Sequence, residues 1–188
     1  GRVSMAGEVT MFDVPWANSQ PHSIVAGPDG SSRMYFTDSG ADRIAYVFTS
    51  GTPFSSVQMT AASSPSGIAN VDGSIWFSMP GLNRLGKLVA DTTVLEMAAS
   101  GTPTAITNGV GNTMWVSLTA RNSVAKYSDQ GAPLGEYTLT SPNSVPAGLA
   151  EGPDTNVWVA QTNAGKVARV LSGQVPVATA APSITPAT

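Results

Sequence analysis

The sequence contains no cysteine, which excludes disulfides, thiolate metal sites and cysteine nucleophiles. Charged residues make up only 11% of the 188 residues, and the nine Lys and Arg residues stand singly, without the basic stripe that neutralises a phosphate backbone. No run of about 18 apolar residues is present. We therefore expect no nucleic-acid partner and no membrane-spanning helix.

Histidine is nearly absent as well, since His22 is the only one in the chain. A single histidine without nearby partners is more often a hydrogen-bonding or capping residue than a catalytic one. No serine stands in a G-x-S-x-G context, so a serine hydrolase is not indicated. Two interpretations of His22 stay open: a base or ligand, and a structural residue at the inner rim of a sheet.

The chain is rich in residues that form short strands and turns. It has 19 Gly and 14 Pro, and 41% of its residues are hydrophobic. Short runs alternate apolar and polar residues, for example "MYFTD", "SIWFS", "TMWVS" and "NVWVA", and residues suited to turns separate them. This pattern predicts an all-β domain of many short strands.

The same motif recurs four times, with a spacing of roughly 40 residues. Each copy has a proline, an aliphatic residue three positions later, a tight turn, an aromatic residue and an aliphatic strand end. The prolines are Pro21, Pro65, Pro103 and Pro146; the aliphatics are Ile24, Ile68, Ile106 and Leu149; the turns are Asp29-Gly30, Asp72-Gly73, Gly111-Asn112 and Asp154-Thr155; the aromatics are Tyr35, Trp76, Trp115 and Trp158; the strand ends are Ile44, Leu85, Val124 and Val167.

A repeat of this length with four short strands is typical of a β-propeller blade. We expect about four blades within residues 1–172, with repeats near 8–54, 55–93, 94–134 and 135–172. The turns supply positive φ for hairpins, and the aromatic residue packs against the next blade. No further carboxylates alternate with the turn aspartates, so calcium loops are not expected.

Ring closure is left open by the sequence. The N-terminal stretch "EVTMFDVP" matches the outer strands "LEMAAS" and "GEYTLTS", so it could complete the last blade, but "QVPVAT" is an alternative fourth strand. The chain is then a small closed ring, part of a larger propeller, or an arc completed by oligomerisation. Residues 173–188, rich in Pro, Ala and Thr, are expected to form a linker or tail of an extracytoplasmic, secreted or surface protein.

The stretches "PHSIVAGPDG", "PSGIANVDGSIWFSMPGLNRLGKL" and "GLAEGPDTNVWVAQTNAGKVARV" resemble the repeat of the streptogramin B lyase (virginiamycin B lyase) family, an NHL-like propeller repeat. The likeness covers about residues 8–171. It implies a seven-bladed propeller that opens a cyclic depsipeptide by β-elimination at an ester, with a magnesium ion and a set of His and Glu residues.

Carried over position by position, the resemblance implies catalytic or metal-binding roles for His22 and Asp38 alone. Gln20 stands where the family has a carboxylate. The other histidine positions are Ser66, Thr104 and Ala147, and the other carboxylate positions are Met79, Leu118 and Gln161.

Two functions of different class follow from these residues. The first is a non-catalytic propeller module that binds a protein, a small molecule or a carbohydrate, without a cofactor, and that can form a homo-oligomer. The second is a magnesium-dependent lyase that uses His22 and Asp38. Exposed loop positions expected to contact a ligand are Gln20, Arg43, Asn83, Arg84, Arg121 and Asn122.

Overall fold

The computed structural model describes residues 1–171, and they form seventeen β-strands and two short 3-10 turns. The strands are β1 (Arg2–Val3), β2 (Val9–Thr10), β3 (Pro21–Ala26), β4 (Arg33–Asp38), β5 (Arg43–Phe48), β6 (Phe54–Gln58), β7 (Ile68–Val71), β8 (Ser74–Met79), β9 (Arg84–Val89), β10 (Thr93–Ala98), β11 (Pro103–Gly109), β12 (Thr113–Leu118), β13 (Ser123–Ser128), β14 (Pro133–Thr138), β15 (Pro146–Glu151), β16 (Val157–Gln161) and β17 (Lys166–Val170). The 3-10 turns are Pro80–Leu82 and Thr119–Arg121.

The strands form four antiparallel meanders, as the sequence predicted. Blade 1 contains β3 to β6, blade 2 β7 to β10, blade 3 β11 to β14, and blade 4 β15 to β17. The first strands of consecutive blades pack on one another, which places β3, β7, β11 and β15 at the inner side. The fold is therefore a four-blade β-propeller arrangement, and the predicted fold class is confirmed.

Two of the four predicted turns have positive φ at both turn residues, and the other two have it at the second residue only, Gly30 and Thr155. Asp72 and Gly73 both have positive φ, at 47° and 74°, as do Gly111 and Asn112, at 72° and 54°. Two successive residues in the left-handed region match the right-handed twist of the flanking strands. The Asp-Gly and Gly-Asn pairs therefore turn β7 into β8 and β11 into β12.

Each blade has two different faces. The front face points to the next blade along the chain and carries the repeat aromatic; the back face points to the previous blade. Trp76 and Leu85 of blade 2 pack with Met114 and Val116 of blade 3, and Trp115 of blade 3 packs in the same way on blade 4. The prediction that the aromatic packs on the next blade is confirmed at these interfaces.

Buried hydroxyls join the inner strands of neighbouring blades. Thr37 Oγ1 donates to the Ser66 carbonyl at 2.6 Å, and Ser78 Oγ donates to the Thr104 carbonyl, also at 2.6 Å. The Thr37 and Ser78 side chains are completely buried and both lie on front faces. Each of these blade-to-blade steps thus combines an apolar contact with a hydrogen bond near the inner rim.

The blades form an arc, and no comparable packing within residues 1–171 links blade 4 to blade 1. Of the two alternatives for completing the last blade, the pairing with the N-terminal strand is not formed there: β2 pairs with β1 in a separate hairpin, and the sheet of blade 4 has three strands within residues 1–171. The alternative fourth strand "QVPVAT" and the tail lie outside the described residues. Within the described part, no helix is long and apolar enough to cross a membrane.

Candidate functional site

The candidate site lies at the inner rim, where the first strand of each blade begins beside the end of the second strand. Register pairs Pro21 with Asp38, and Pro146 with Gln161. The sequence-predicted positions of the four blades are therefore brought to equivalent places in the fold. Their side chains decide which chemistry the rim supports.

Asp38 is completely buried and its carboxylate is held by the N-terminal segment. Ser19 Oγ donates a hydrogen bond to Asp38 Oδ2, and the backbone N–H of Gln20 donates to Oδ1 at 2.6 Å. Both carboxylate oxygens thus have donors from the loop that leads into β3. This geometry fixes the approach of the chain to blade 1.

His22 is exposed at the start of β3, and its Nδ1 lies 3.0 Å from Ser23 Oγ. It lines a largely apolar cleft of about 560 Å³ on the back face of blade 1, together with Ile24, Phe36 and Phe54. Its hydrogen-bond partner is a neighbouring serine and not a carboxylate. Among residues 1–171, a carboxylate that would orient this imidazole as a general base is therefore missing.

The equivalent rim positions of the other blades lack ionisable groups. Met79 and Leu118 are buried apolar side chains at the ends of β8 and β12. Gln161 is buried at the end of β16, and its Oε1 has no hydrogen-bond partner among the described residues. The four described blades therefore have one carboxylate at these positions where the family resemblance implies several.

The magnesium ion implied by the resemblance does not fit these residues. Magnesium prefers oxygen ligands in near-octahedral geometry and is held by one or two carboxylates plus substrate and water. Among residues 1–171, Asp38 is the one carboxylate at these four rim positions, each of its oxygens already accepts a hydrogen bond, and no group of three His, Asp or Glu side chains could bind a metal. The described rim is therefore not a magnesium site of the kind that the family resemblance implies.

The three predicted contact arginines lie near the start of the third strand of their blades and have partners within the chain: Arg43 and Arg84 begin β5 and β9, and Arg121 stands two residues before β13. Arg43 lies over the Trp16 ring, with its guanidinium carbon 5.3 Å from the ring centroid. Arg84 pairs with Glu96 at 2.6 Å and Arg121 with Glu136 at 2.7 Å. Their contact role stays a prediction, as does that of Gln20, which is exposed beside the Asp38 clamp.

Glu136 shows that such a pair is embedded in the fold. Burial raises the pKa of this carboxyl, but hydrogen bonds from Arg121, Ser123 and Ser100 outweigh it, and the pKa lies below its ordinary value. The carboxylate is thus charged and satisfied by three donors.

Asn83 and Asn122 clamp the loops that lead into the next blade. Asn122 Nδ2 donates to the Leu139 and Ser141 carbonyls, and its Oδ1 accepts the Ser144 N–H at 2.7 Å. Asn83 Oδ1 accepts a hydrogen bond from Thr102 Oγ1 at 3.0 Å. Both asparagines have φ of 52°, which suits Asn in the left-handed region.

The sequence analysis missed Asp42, which occupies the same clamp position in blade 1. Its carboxylate accepts hydrogen bonds from the N–H groups of Ala62 and Ser64 and from Ser63 Oγ. The signal was available, because Asp42, Asn83 and Asn122 each stand directly before the third strand of their blade. Ser19 and the apolar cleft were also missed, and both depend on contacts distant in sequence.

Comparisons with known proteins agree with this architecture. The model of the virginiamycin B lyase family matches residues 1–179. A virginiamycin B lyase of Nocardia farcinica (strain IFM 10152) is 27% identical over 165 residues, which is 87% of this chain and 56% of that protein.

Solved structures show the same fold. A streptogramin B lyase structure superposes with a TM-score of 0.82 at 26% identity and covers 90% of this chain and 57% of that one. A catalytically inactive virginiamycin B lyase from Staphylococcus aureus with quinupristin gives a TM-score of 0.85 at 24% identity, over 92% and 59% of the two chains. The chain thus spans little more than half the length of these relatives. The chain belongs to the virginiamycin B lyase family.

Proposed function

We propose that this chain is a non-catalytic binding or scaffolding module built on the virginiamycin B lyase blade. The observation that carries the proposal is the state of Asp38, the one rim carboxylate of the four described blades. It is buried and accepts hydrogen bonds from Ser19 and Gln20. A carboxylate that ties a loop to a sheet in this way serves the fold.

The chemistry of elimination supports the same conclusion. Removing a proton next to a carbonyl needs a positioned base, and the developing enolate needs a cation or an equivalent set of donors. His22 has a serine as its partner, and the other rim positions are Met79, Leu118 and the uncharged Gln161. Within residues 1–171, the rim therefore lacks both an oriented base and a charge to stabilise the enolate.

The direct test is incubation of the purified chain with quinupristin and magnesium. Ring opening by elimination leaves the mass unchanged, so the product is sought by its chromatographic retention and fragment ions. We expect no linear product, while the Nocardia farcinica relative serves as the positive control. Magnesium-dependent ring opening that His22→Ala abolishes would overturn the proposal.

A second test separates the structural role of Asp38 from a catalytic one. We expect Asp38→Asn to lower the free energy of unfolding by about 1 to 3 kcal/mol, because a buried group loses charge-assisted hydrogen bonds. Ser19→Ala should cause part of the same loss. An Asp38→Asn variant as stable as the wild type would contradict the clamp.

A lyase is the second candidate, and family membership is the observation that favours it. Named relatives are lyases, and His22 is retained at a position where the family resemblance implies a catalytic histidine. Under this alternative the missing groups would come from outside the four described blades. The quinupristin assay distinguishes the two candidates.

We also propose an extracytoplasmic location, which the Pro-, Ala- and Thr-rich stretch 173–188 supports. Cell fractionation with an antibody against the chain tests it. Recovery of the protein in the cytoplasmic fraction alone would reject this location.

A further inference from the structure

Blades 1 to 3 each place an arginine at the corner where the third strand begins beside the fourth strand. In blade 2 this is Arg84, which pairs with Glu96 at 2.6 Å; in blade 3 it is Arg121, which pairs with Glu136 at 2.7 Å. Both glutamates lie on the fourth strand of their blade. We call this place the arginine corner; in blades 2 and 3 it contains its own carboxylate.

The arginine corner of blade 1 has the cation without the carboxylate. Ser56 stands at the register position of the two glutamates, since it faces Ala45 as Glu96 faces Gly86 and Glu136 faces Ala125. Arg43 Nη1 donates a hydrogen bond to Ser56 Oγ at 3.2 Å. Among residues 1–171, no carboxylate lies within ion-pair distance of Arg43. Blade 1 therefore has a serine hydroxyl where the other two blades have a charged acceptor.

Trp16 orients the Arg43 guanidinium. The guanidinium carbon lies 5.3 Å from the centroid of the Trp16 ring, and Trp16 in turn packs edge-on against Phe54. A guanidinium over an aromatic face is held in position while its N–H edges stay available to planar acceptors. Arg43 Nε has no hydrogen-bond partner within the described part of the chain. Arg43 thus keeps hydrogen-bonding capacity that the fold does not use.

The two carboxylates nearest to Arg43 along the chain are used elsewhere. Asp38 faces Arg43 in the strand register, but its oxygens accept hydrogen bonds from the segment before β3. Asp42 accepts hydrogen bonds from residues 62–64. Neither aspartate forms an ion pair with Arg43. The charge of Arg43 is therefore left without a direct partner by both neighbours.

The arginine corner stays open to solvent when another blade packs against its own blade. Blade 1 packs on the face of blade 2 that carries Phe77, yet the Arg84 side chain is 51% exposed. Blade 2 packs on blade 3 in the same way, and the Arg121 side chain is 52% exposed. A ligand can therefore reach this corner in a stacked blade, and the access of Arg43 does not depend on what precedes blade 1.

We propose that the arginine corner of blade 1 binds the carboxylate of a ligand, with Arg43 as the donor and Trp16 as its support. The planar guanidinium matches a carboxylate in geometry and charge. The glutamates of blades 2 and 3 show that a carboxylate is the group that fits beside the arginine at this place. The proposal rests on the binding role proposed above and names the ligand class.

Nuclear magnetic resonance of the full chain titrated with sodium acetate tests the site. Two resonances report on it: the Arg43 Nε–H, assigned by its loss in Arg43→Lys, and the Trp16 indole N–H, assigned by its loss in Trp16→Phe. We expect both to shift and to saturate with a dissociation constant of about 10 to 50 mM, because one exposed guanidinium–carboxylate pair is weak. Sodium chloride at equal ionic strength should leave both resonances unchanged.

Ser56→Glu is the decisive variant, because it installs the glutamate that blades 2 and 3 have. Its carboxylate competes within the chain at high effective concentration, so the acetate response should fall about five-fold or more. Ser56→Ala is the matched control: it keeps the corner open and should respond as the wild type does. Arg43→Gln should abolish the shift of the Trp16 resonance. The thermal midpoint of each variant shows that it is folded, and Arg43→Gln keeps the test decisive if Ser56→Glu does not fold.

A second titration separates the two sources of a carboxylate. A short peptide with blocked ends and one central glutamate is compared with the same peptide containing glutamine, which should not bind. Binding of the glutamate peptide about three-fold or more tighter than acetate would assign the acidic side chain of a protein partner, since further contacts add to the pair. Equal affinities would assign a small carboxylic acid.

Three results would overturn the proposal: no saturable shift up to about 200 mM acetate, an undiminished response in Ser56→Glu, or an equal response to sodium chloride. Saturation by inorganic phosphate without saturation by acetate would also reject the ligand class. The quinupristin assay fails independently of this test. Ring opening would reject the non-catalytic role and leave a positive acetate titration standing, whereas a missing acetate response without ring opening would remove the carboxylate site alone.

Discussion

The interface between blades 2 and 3 and the open face of blade 4 carry the same kinds of residue in different surroundings. Trp76 is completely buried with Lys87 Nζ 5.4 Å from its ring centroid; Trp158 is 40% exposed with the Arg169 guanidinium carbon 5.8 Å from its ring centroid. Both pairs join a tryptophan to a cation across two strands, and the neighbouring blade is what differs. The burial of a residue in a repeat protein therefore depends on the neighbouring repeat as well as on the residue's place in its own repeat.

The largest expected difference between the two regions is in core stability. Trp76→Ala should lower the free energy of unfolding by about 3 to 5 kcal/mol, because it leaves a cavity in a close-packed interface. Trp158→Ala, the matched variant, should cost less than about 1 kcal/mol in the monomer. Urea unfolding of both variants checks the comparison, and equal costs would show that the face of blade 4 is covered in solution.

The next largest expected loss of stability comes from removing the Ser78 hydroxyl, which joins the inner strands of blades 2 and 3. Ser78 Oγ accepts the Gly67 N–H at 2.8 Å and donates to the Thr104 carbonyl. Ser78→Ala should cost about 1 kcal/mol, since it removes two hydrogen bonds while the Gly67 N–H keeps its 3.0 Å bond to the Thr104 carbonyl. Ser78→Thr is the control, because Thr37 fills the same position in blade 1. Equal urea midpoints for both variants would contradict this role.

The smallest expected effect concerns pH at the loop clamps. Burial raises the pKa of Asp42, but hydrogen bonds from Ser64, Ala62 and Ser63 outweigh it, and the pKa lies below its ordinary value of 3.8. A lowered folded-state pKa stabilises the fold above the unfolded-state pKa, and this contribution is lost as pH falls through the folded-state pKa.

Asn122 occupies the same clamp in blade 3 without a titratable group, so the Asn122 clamp should keep its hydrogen bonds in acid while the Asp42 clamp loses the charge that strengthens them. Asp42→Asn should flatten the loss of stability below about pH 4. Unfolding curves at neutral and acidic pH compare the variant with the wild type. An Asp42→Asn variant that loses stability in acid as steeply as the wild type would show that other carboxyls control the transition.

Much of the fold followed from the periodicity of the sequence. The prolines, turn pairs and aromatics recur at the same place in each repeat, and each has a local cause. Asp72-Gly73 needs a left-handed backbone, Trp76 lies on an apolar face, and Pro103 begins a strand. Such local requirements can be detected in a single sequence because they recur in every repeat. The blade type and the next-blade packing of the aromatic were predicted on this basis.

The site was less predictable for a physical reason. The position of Asp38 suggested a catalytic carboxylate, but its partners Ser19 and Gln20 precede it by a long stretch of chain. Likewise, the sequence indicated Arg121 as a contact residue without its partner, Glu136 of β14, which pairs with it from 15 residues further along the chain. Hydrogen-bond partners distant in sequence are set by the packing of strands, which the repeat pattern does not encode.

The sequence by itself determined the blade, its four strands, its turns and the residues of its two faces, because these depend on alternation and on backbone conformation within about 40 residues. Only the tertiary structure decided that Asp38 accepts hydrogen bonds from Ser19 and Gln20 and that β2 pairs with β1. These partners depend on which surfaces meet when the strands and blades pack. Residues distant in sequence meet there without a local pattern that marks them.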